Sequence, residues 1–281
     1  MKTLLWWMYV LLSRGAVLYL VIVILLLLLQ RHLIYFPARS REEDLLRSAE
    51  IYGLIPWRDS SHQLIGWRSG NADASHLPRN RLVVFHGNAG YALHRSYYVD
   101  GFRSLTEGKA AWEILLFEYP GYGARPGIAT EENIIRAARP ALSELLKDKS
   151  GPVFLLGESL GSGVAARLAA ENPESIAGLF LVTPFTCLSD VGAKHYPVFP
   201  VRLILRDRYE VQQNLNRYPG PVAFLMAGQD EIVPPELGRR LFEKYMGRKR
   251  LWVQPAAGHN TLDFSPGAAW WREVADFLIG A

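Results

Sequence analysis

The residues Gly157, Ser159 and Gly161 form a Gly-x-Ser-x-Gly pattern between an apolar run and a stretch of small residues. The apolar run, at 153–156, predicts a strand, and the small residues predict the start of a helix. A tight strand-to-helix turn lifts a serine hydroxyl above the edge of a sheet, and the glycines allow the close backbone approach that this turn needs. The pattern therefore predicts Ser159 as a nucleophile.

A serine hydroxyl is a weak nucleophile at neutral pH and needs a base to take its proton. Among the seven histidines, His259 is the best placed, because it follows the last predicted strand in Gly258-His259-Asn260 and comes after the serine in the chain. His86 lies beside Gly87, a setting that suits loop shaping better than proton transfer. The remaining histidines lack a comparable context at a strand end: His32, His62, His76, His94 and His195.

The imidazole in turn needs a carboxylate that holds its tautomer and stabilises the imidazolium. Asp230 ends a predicted strand and lies between the serine and the histidine in sequence. The adjacent Glu231 stays open as an alternative. Glu158 and Glu118 are predicted as buried structural acids, and Asp263 is predicted to continue a local turn.

A tetrahedral oxyanion needs two hydrogen-bond donors. The backbone N–H of Leu160 is one candidate, because it lies at the N-terminus of the predicted helix, where the helix dipole also favours negative charge. The other is the backbone N–H of Asn88, in the glycine-containing loop 86–90 that follows an earlier predicted strand. Both are predicted as oxyanion donors.

The elements that must position these groups alternate regularly along the chain. The predicted strands cover about 82–85, 112–117, 153–156, 176–182, 222–226 and 250–253, and the predicted helices cover about 94–107, 130–147, 159–171, 234–245 and 266–279. A polar turn region is predicted for 71–80. Short strands separated by helices indicate a mostly parallel sheet flanked by helices, an α/β architecture. Ligands bind at the carboxyl ends of such strands, where each candidate group lies.

The first thirty-odd residues differ from the rest. Between Leu4 and Leu29 the only charge is Arg14, and a membrane-spanning helix needs about 20 apolar residues. The stretch from about 11 to 29 therefore predicts a single-pass, N-terminal transmembrane helix. A cleaved signal peptide is the competing interpretation, but the apolar run is followed by Gln-Arg-His at 30–32 instead of small residues. Aromatic residues flank the run on both sides: Trp6, Trp7 and Tyr9 before it, Tyr35 and Phe36 after it.

Composition limits the other classes of function. The chain has 281 residues and a net charge of +4, with scattered basic residues, which argues against a nucleic-acid partner. The single cysteine, Cys187, excludes an internal disulfide, and no CxxC or HExxH spacing indicates a metal. No cofactor is predicted. We expect a membrane anchor at 1–36, a linker at 37–59 and a catalytic domain at 60–281 with a short cap at about 184–219.

Several motifs occur together and in order, and they carry a resemblance to a known family. They are His86-Gly87-Asn88-Ala89, Glu118-Tyr119-Pro120-Gly121-Tyr122-Gly123, Gly157-Glu158-Ser159-Leu160-Gly161, Gly228-Gln229-Asp230-Glu231-Ile232-Val233-Pro234 and Gly258-His259-Asn260. From about residue 60 to 280 the chain resembles the α/β-hydrolase superfamily. More narrowly, it is similar to membrane-anchored serine hydrolases grouped with the α/β-hydrolase-domain depalmitoylases and serine aminopeptidase-like sequences.

The chain also departs from that group. The family often has Asp where this chain has Thr261 and Glu118, and the depalmitoylases carry an N-terminal cysteine cluster that is missing here. The resemblance implies a membrane-anchored serine hydrolase that cleaves carboxylic ester or thioester bonds of a small or lipid-like acyl substrate through an acyl-enzyme. A peptidase or amidase of the serine aminopeptidase type and a catalytically idle scaffold are the alternatives. The cap is either an acyl-binding wall or a helix packed on the core.

Overall fold

A computed structural model describes residues 2–69, 79–105 and 111–280. Ten strands occur within these ranges: β1 (Phe36–Pro37), β2 (Leu54–Arg58), β3 (Leu64–Ser69), β4 (Arg79–Phe85), β5 (Ala89–Gly90), β6 (Ala111–Phe117), β7 (Val153–Glu158), β8 (Ile176–Val182), β9 (Val222–Ala227) and β10 (Lys249–Gln254). Most of the predicted polar turn at 71–80 lies outside the described residues.

Ten α-helices and one 3₁₀ turn complete the described elements. The helices are α1 (Lys2–Ile34), α2 (Glu42–Ile51), α3 (Ser96–Arg103), α4 (Glu131–Lys147), α5 (Gly161–Glu171), α6 (Leu188–His195), α7 (Val201–Ile204), α8 (Val211–Leu215), α9 (Pro235–Lys244) and α10 (Trp270–Ile279), and the 3₁₀ turn covers Ala92–Arg95.

Eight strands form one sheet, in the order β10-β9-β8-β7-β4-β6-β3-β2. The six strands from β10 to β6 run parallel, and β3 and β2 are added antiparallel at one edge. Helices cover both faces: Ile134 of α4 and Val164 of α5 are buried on one side, and Phe102 of α3 and Trp271 of α10 on the other. The predicted α/β fold with a mostly parallel sheet is confirmed.

The sequence explains where individual elements begin. Thr130 is the N-cap of α4, and its side chain accepts a hydrogen bond of 3.0 Å from the backbone N–H of Asn133. Glu131 and Glu132 occupy the first turn, where negative charge is favoured by the helix dipole. The helix was predicted at this position from the same residues.

Residues 37–59, predicted as a linker, contain α2 and β2. Because Leu54 and Trp57 of β2 are buried and the strand pairs with β3, this segment is part of the sheet. The buried residues of this short strand, Leu54 and Trp57, are three positions apart, so it lacks the regular alternation that indicates a strand in sequence. We therefore propose that the folded domain begins before residue 60.

The N-terminal helix α1 contains 33 residues and is the described helix that is long and apolar enough to cross a membrane. From Ile22 onward it lies against the rest of the protein, because Gln30 is buried and Ile22, Leu26 and Ile34 are partly buried. The sequence pattern predicts Tyr35 at a membrane interface, but Tyr35 is buried. Its hydroxyl donates a hydrogen bond to Asp207 inside the domain.

Candidate active site

Ser159 lies in the turn between β7 and α5. Its φ angle is +51°, in the left-handed region that costs a non-glycine residue about 1–3 kcal/mol. The backbone N–H of Ser159 donates to the carbonyl of Val182 on the neighbouring strand at 2.8 Å, which holds the turn in this conformation. The strand-to-helix turn predicted from the Gly-x-Ser-x-Gly pattern is therefore present.

The two glycines of the pattern are required by close contacts. A Cβ atom on Gly161 would lie 2.0 Å from the carbonyl oxygen of Phe85, and one on Gly157 would lie 2.5 Å from the carbonyl oxygen of Gly161. Both obstacles are backbone atoms, which cannot move aside as a flexible side chain could. The sequence motif thus reflects the packing of α5 against the ends of β4 and β7.

His259 connects Ser159 to Asp230. Its Nδ1–H donates to Oδ2 of Asp230 at 2.7 Å, which leaves Nε2 as the acceptor for the Ser159 hydroxyl at 3.1 Å. The other carboxylate oxygen of Asp230 accepts from the backbone N–H groups of Ile232 at 2.9 Å and Val233 at 2.7 Å. The structure brings these three side chains together in an order that suits proton transfer from the serine.

The two backbone N–H groups predicted as oxyanion donors lie near Ser159. Asn88 and Leu160 line the same cavity as Ser159 and His259. Among the described residues, neither backbone N–H donates to a protein acceptor. These donors are therefore free for a ligand, as an oxyanion site requires.

The acid inside the Gly-x-Ser-x-Gly pattern, Glu158, is held by three side chains. Its carboxylate accepts from Arg95 at 2.7 Å, from the Tyr97 hydroxyl at 2.6 Å and from the Tyr98 hydroxyl at 3.1 Å. Burial raises the pKa of Glu158, but the Arg95 guanidinium and these hydrogen bonds outweigh it and bring the pKa to about 2. Glu158 is thus a partly buried ion-pair partner with a structural role, where the sequence predicts a buried structural acid.

His86, Glu118 and Asp263 form hydrogen bonds with backbone groups other than those of Ser159 and His259. His86 is buried, stacks on Tyr119 at 3.9 Å between ring centroids, and donates from Nδ1 to the Gly87 carbonyl at 2.7 Å. Both oxygens of Glu118 accept from the backbone N–H of Ala92. Asp263 accepts from the backbone N–H of Ser265, which is the predicted local turn. His76 lies outside the described residues.

A cavity of about 520 Å³ extends from Ser159 and His259 toward α1. Most of its wall is apolar, and the N-terminal part of the chain and the cap both contribute to it. The N-terminal part contributes Leu26, Gln30, Leu33, Ile34 and Phe36, and the cap contributes Leu188, Val191, Tyr196, Val201, Ile204 and Leu205. The predicted acyl-binding wall in the cap is therefore in a position to contact a ligand at Ser159.

Several residues of this cavity are not predicted as site residues from the sequence. Arg95 and His195 both line it, and the side chain of His195 donates to the carbonyl of Ile232 at 2.8 Å. A smaller cavity of about 230 Å³ adjoins it beside His94, Arg95 and Asn260. Burial and the neighbouring Arg95 lower the pKa of His94. In the sequence, Gln30 is the residue that indicates this cavity wall, because it is a polar residue at the end of an apolar helix.

Among residues 2–69, 79–105 and 111–280, no three His, Cys, Asp or Glu side chains converge as metal ligands.

Gly258 is packed against the Glu231 carboxylate, since a Cβ atom on Gly258 would lie 2.8 Å from its Oε2. Of the two candidate acids, Asp230 is therefore the one that contacts the His259 imidazole.

Comparison with known proteins extends these observations. A model described as the alpha/beta hydrolase family matches residues 82–279. The uncharacterized protein Rv2307c of Mycobacterium tuberculosis is 33% identical over 257 residues, covering 89% of this chain and 87% of that protein. Lysophosphatidylserine lipase ABHD12 of Danio rerio is 27% identical over 206 residues, covering 66% of this chain but only 52% of its own length.

The solved structure of the esterase PF2001 of Pyrococcus furiosus superposes with a TM-score of 0.64 at 18% identity, covering 88% of this chain and 97% of that chain. At that identity the superposition shows a shared fold. The family model covers the sheet from β4 onward together with the turn at Ser159 and the loops of Asp230 and His259. The chain therefore belongs to the alpha/beta hydrolase family.

Proposed function

We propose that this protein is a membrane-anchored serine hydrolase that cleaves carboxylic ester or thioester bonds of lipid-like acyl substrates. The observation that carries the proposal is the 3.1 Å contact between Ser159 Oγ and His259 Nε2 at one end of an apolar cavity. Asp230 supports the imidazole from the other side at 2.7 Å. A nucleophile and its base thus meet where an acyl chain can be bound.

In the acylation half of the reaction, His259 Nε2 takes the proton of the Ser159 hydroxyl while Oγ attacks the carbonyl carbon. The carbonyl π electrons move to oxygen, and the backbone N–H groups of Asn88 and Leu160 stabilise that oxyanion. Collapse of the tetrahedral intermediate breaks the bond to the alcohol or thiol. The imidazolium of His259 returns its proton to this leaving group, and an acyl-enzyme remains.

In the deacylation half, water takes the position of the leaving group. His259 accepts a proton from the water, whose oxygen attacks the acyl carbon, and the same two N–H groups bind the second oxyanion. Collapse breaks the bond to Ser159 Oγ, which regains its proton from His259. The products are a carboxylic acid and the free enzyme.

The charges in the cavity favour esters over the free-amino peptides of an aminopeptidase. Recognition of a substrate ammonium group needs an available carboxylate, and Glu158 is the only carboxylate among the described residues of the cavity wall. Because Arg95, Tyr97 and Tyr98 already satisfy Glu158, it is not available for that role. A largely apolar wall suits an acyl chain, and the lipase name of the ABHD12 relative supports the same substrate class.

The contacts of α1 support an uncleaved anchor. Gln30 donates from Nε2 to the Ile204 carbonyl at 3.3 Å and accepts from the backbone N–H of Arg206 at 2.7 Å. The Tyr35 hydroxyl donates to Asp207 at 3.0 Å. A signal peptide that is removed has no reason to satisfy buried polar groups of the mature protein. We therefore propose a single-pass N-terminal anchor that remains part of the folded protein.

The cap contacts the part of α1 that we propose to lie in the membrane. A span takes about 20 residues, and every stretch of that length within α1 includes Tyr19. The Tyr19 hydroxyl donates to the Val198 carbonyl at 2.9 Å, and its ring stacks on Phe199 at 5.7 Å between centroids. The cap residues in contact with Tyr19 thus share its depth, which supports a lipid-like substrate that enters from the bilayer.

The proposal is tested by labelling the full-length protein in detergent micelles with a fluorophosphonate probe. We expect the wild-type protein to be labelled and Ser159→Ala to be unlabelled. Ser175→Ala is the matched control, because Ser175 is exposed and precedes β8 at the opposite edge of the sheet from Ser159. A folded wild-type protein that stays unlabelled, or equal labelling of Ser159→Ala, would overturn the proposal. Panels of esters, thioesters and aminoacyl amides then separate the bond types.

A further inference from the structure

The loop that carries Asn88 contacts the end of the N-terminal helix. The side-chain amide of Asn88 donates from Nδ2 to the carbonyl of Ile34, the last residue of α1, at 2.9 Å. The carbonyls in the last turn of a helix have no partner within the helix. Asn88 thus satisfies a helix-terminal carbonyl with its side chain, while its backbone N–H has no acceptor among the described protein groups.

The same loop is held by its own carbonyl groups. The Asn88 carbonyl accepts from the backbone N–H of Phe36 at 2.9 Å and from the Tyr122 hydroxyl at 2.6 Å. Phe36 belongs to β1, which pairs in parallel with β5, and the N–H of Ala38 donates to the carbonyl of Gly90 at 2.9 Å. The segment that leaves α1 is therefore hydrogen-bonded along most of this loop.

The end of α1, which accepts the hydrogen bond from Asn88, is itself held in place by hydrogen bonds to the cap. The Tyr35 hydroxyl lies 2.9 Å from that of Tyr209 and donates to Asp207 at 3.0 Å. All three side chains are buried. The buried Gln30 bonds to backbone groups on both sides of Leu205. A continuous set of hydrogen bonds therefore joins the cap, the end of α1 and the Asn88 loop.

We propose that the end of α1 is a functional part of the active site, with the Asn88 side chain as the positioning group that aligns the backbone N–H of Asn88 toward the oxyanion. This inference rests on the proposed hydrolase function. An oxyanion donor acts only when it is held about 2.7–3.1 Å from the developing charge. The helix that attaches the protein to the membrane would thereby also set the efficiency of its chemistry.

The test uses full-length protein in detergent micelles and the soluble ester 4-nitrophenyl butyrate. Asn88→Ala and Asn88→Asp keep the backbone N–H but remove the side-chain donor, and the carboxylate of the second variant also repels the Ile34 carbonyl. We expect kcat per active site to fall about 10- to 100-fold, with KM changed less than about twofold, because a misplaced donor weakens the transition state more than substrate binding. Active sites are counted by fluorophosphonate titration.

A second measurement distinguishes a misaligned backbone N–H of Asn88 from a defect in folding. A trifluoromethyl ketone adds Ser159 Oγ to its carbonyl and leaves a tetrahedral oxyanion, so its Ki reports the oxyanion donors directly. We expect Ki to rise by about the same factor by which kcat/KM falls. Tyr122→Phe, which removes the donor to the Asn88 carbonyl, should likewise raise Ki and lower kcat/KM by a common factor. Asn216→Ala is the matched control, because Asn216 is exposed at the end of α8.

Two results would overturn the inference while leaving the hydrolase function intact. One is kcat and Ki per titrated site that stay within about twofold of the Asn216→Ala values in both Asn88 variants. The other is a rise in KM alone, which would assign the side chain to substrate binding. A wild-type protein that neither hydrolyses the ester nor reacts with the fluorophosphonate would instead overturn the proposed function itself.

Discussion

The guanidinium of Arg95 lies 2.7 Å from the carboxylate of Glu158, immediately before Ser159 in the chain. Both side chains are about 15% exposed, at 15% and 14%. Arg95 also donates to the carbonyl of Ala89 at 3.1 Å, so one cation joins the turn at Ser159 to the loop of Asn88. The pair therefore contributes to the structure of the site through hydrogen bonds to groups other than His259.

Loss of the Glu158 charge should reduce stability in a defined pH range. The pKa of Glu158 is about 2 in the folded protein, against 4.5 for an ordinary glutamate. A depressed pKa stabilises the fold above the unfolded value, and the stabilisation is lost as the pH falls from about 4.5 to about 2. We expect Glu158→Gln to lower the free energy of unfolding by about 3 kcal/mol at pH 7 and to flatten its pH dependence in that range. Chemical denaturation in detergent at several pH values measures both.

Glu171→Gln is the matched control for this experiment. Glu171 also has a pKa of about 2, because Arg139 and Arg167 donate to it, but it lies near the surface with exposed partners. Solvent and salt screen such pairs, so the change should cost less than about 1 kcal/mol. Equal destabilisation by the two variants would contradict a special role for the Arg95–Glu158 pair.

Two isosteric variants test whether Asp230 or Glu231 is the carboxylate that supports the His259 imidazole. Asp230→Asn should lower kcat about 10³- to 10⁴-fold, because an amide at this position favours the wrong tautomer of the histidine and cannot stabilise the imidazolium. Glu231→Gln should change kcat less than about tenfold, since Glu231 packs against Gly258 and makes no contact with the imidazole among the described residues. Steady-state ester hydrolysis by both full-length variants decides between them. A larger loss in Glu231→Gln than in Asp230→Asn would reverse the assignment.

The sequence was sufficient to predict the residues whose position follows from local rules. Ser159 lies in a turn that its flanking glycines specify, and Asp230 and His259 follow strands that end at the same edge of a parallel sheet. The carboxyl ends of such strands must meet, so proximity across 100 positions followed from the strand pattern. The N-cap at Thr130 and its helix were predicted for the same reason, because the signal is contained within a few residues.

Residues positioned by tertiary packing could not be predicted in this way. Arg95 pairs with Glu158 across 63 positions, and nothing in the local pattern of either residue indicates the other. The short strand β2 lies in a segment that the sequence predicts as a linker, because its stabilisation comes from pairing with β3. The docking of Gln30 and Tyr35 depends on cap groups about 170 residues later, so a helix that resembles a plain anchor in sequence forms part of a cavity wall.

Enlarging Leu26 should shorten the acyl chain that the protein prefers. Leu26 lines the cavity about 12 Å along α1 from Ile34, so its side chain limits the part of the cavity farthest along the helix. We expect Leu26→Trp to lower kcat/KM for 4-nitrophenyl palmitate at least about tenfold and for the butyrate ester less than about twofold. Leu28→Trp is the matched control, because Leu28 is 65% exposed and does not line the cavity. A uniform loss over all chain lengths would contradict this function of Leu26.

A charge on the cap should separate activity on membrane-embedded substrates from activity on soluble ones. Leu203 in α7 is 83% exposed. The nearby cap residues Val198 and Phe199 contact Tyr19 of the proposed membrane span. Because a lysine is costly in the hydrocarbon region, Leu203→Lys should reduce hydrolysis of 4-methylumbelliferyl oleate in phosphatidylcholine vesicles about three- to tenfold and leave 4-nitrophenyl butyrate within about twofold. Met246→Lys, at a residue 91% exposed before β10 at the far edge of the sheet, should change neither rate. Equal rates on vesicles for Leu203→Lys and the wild type would show that this part of the cap stays in water.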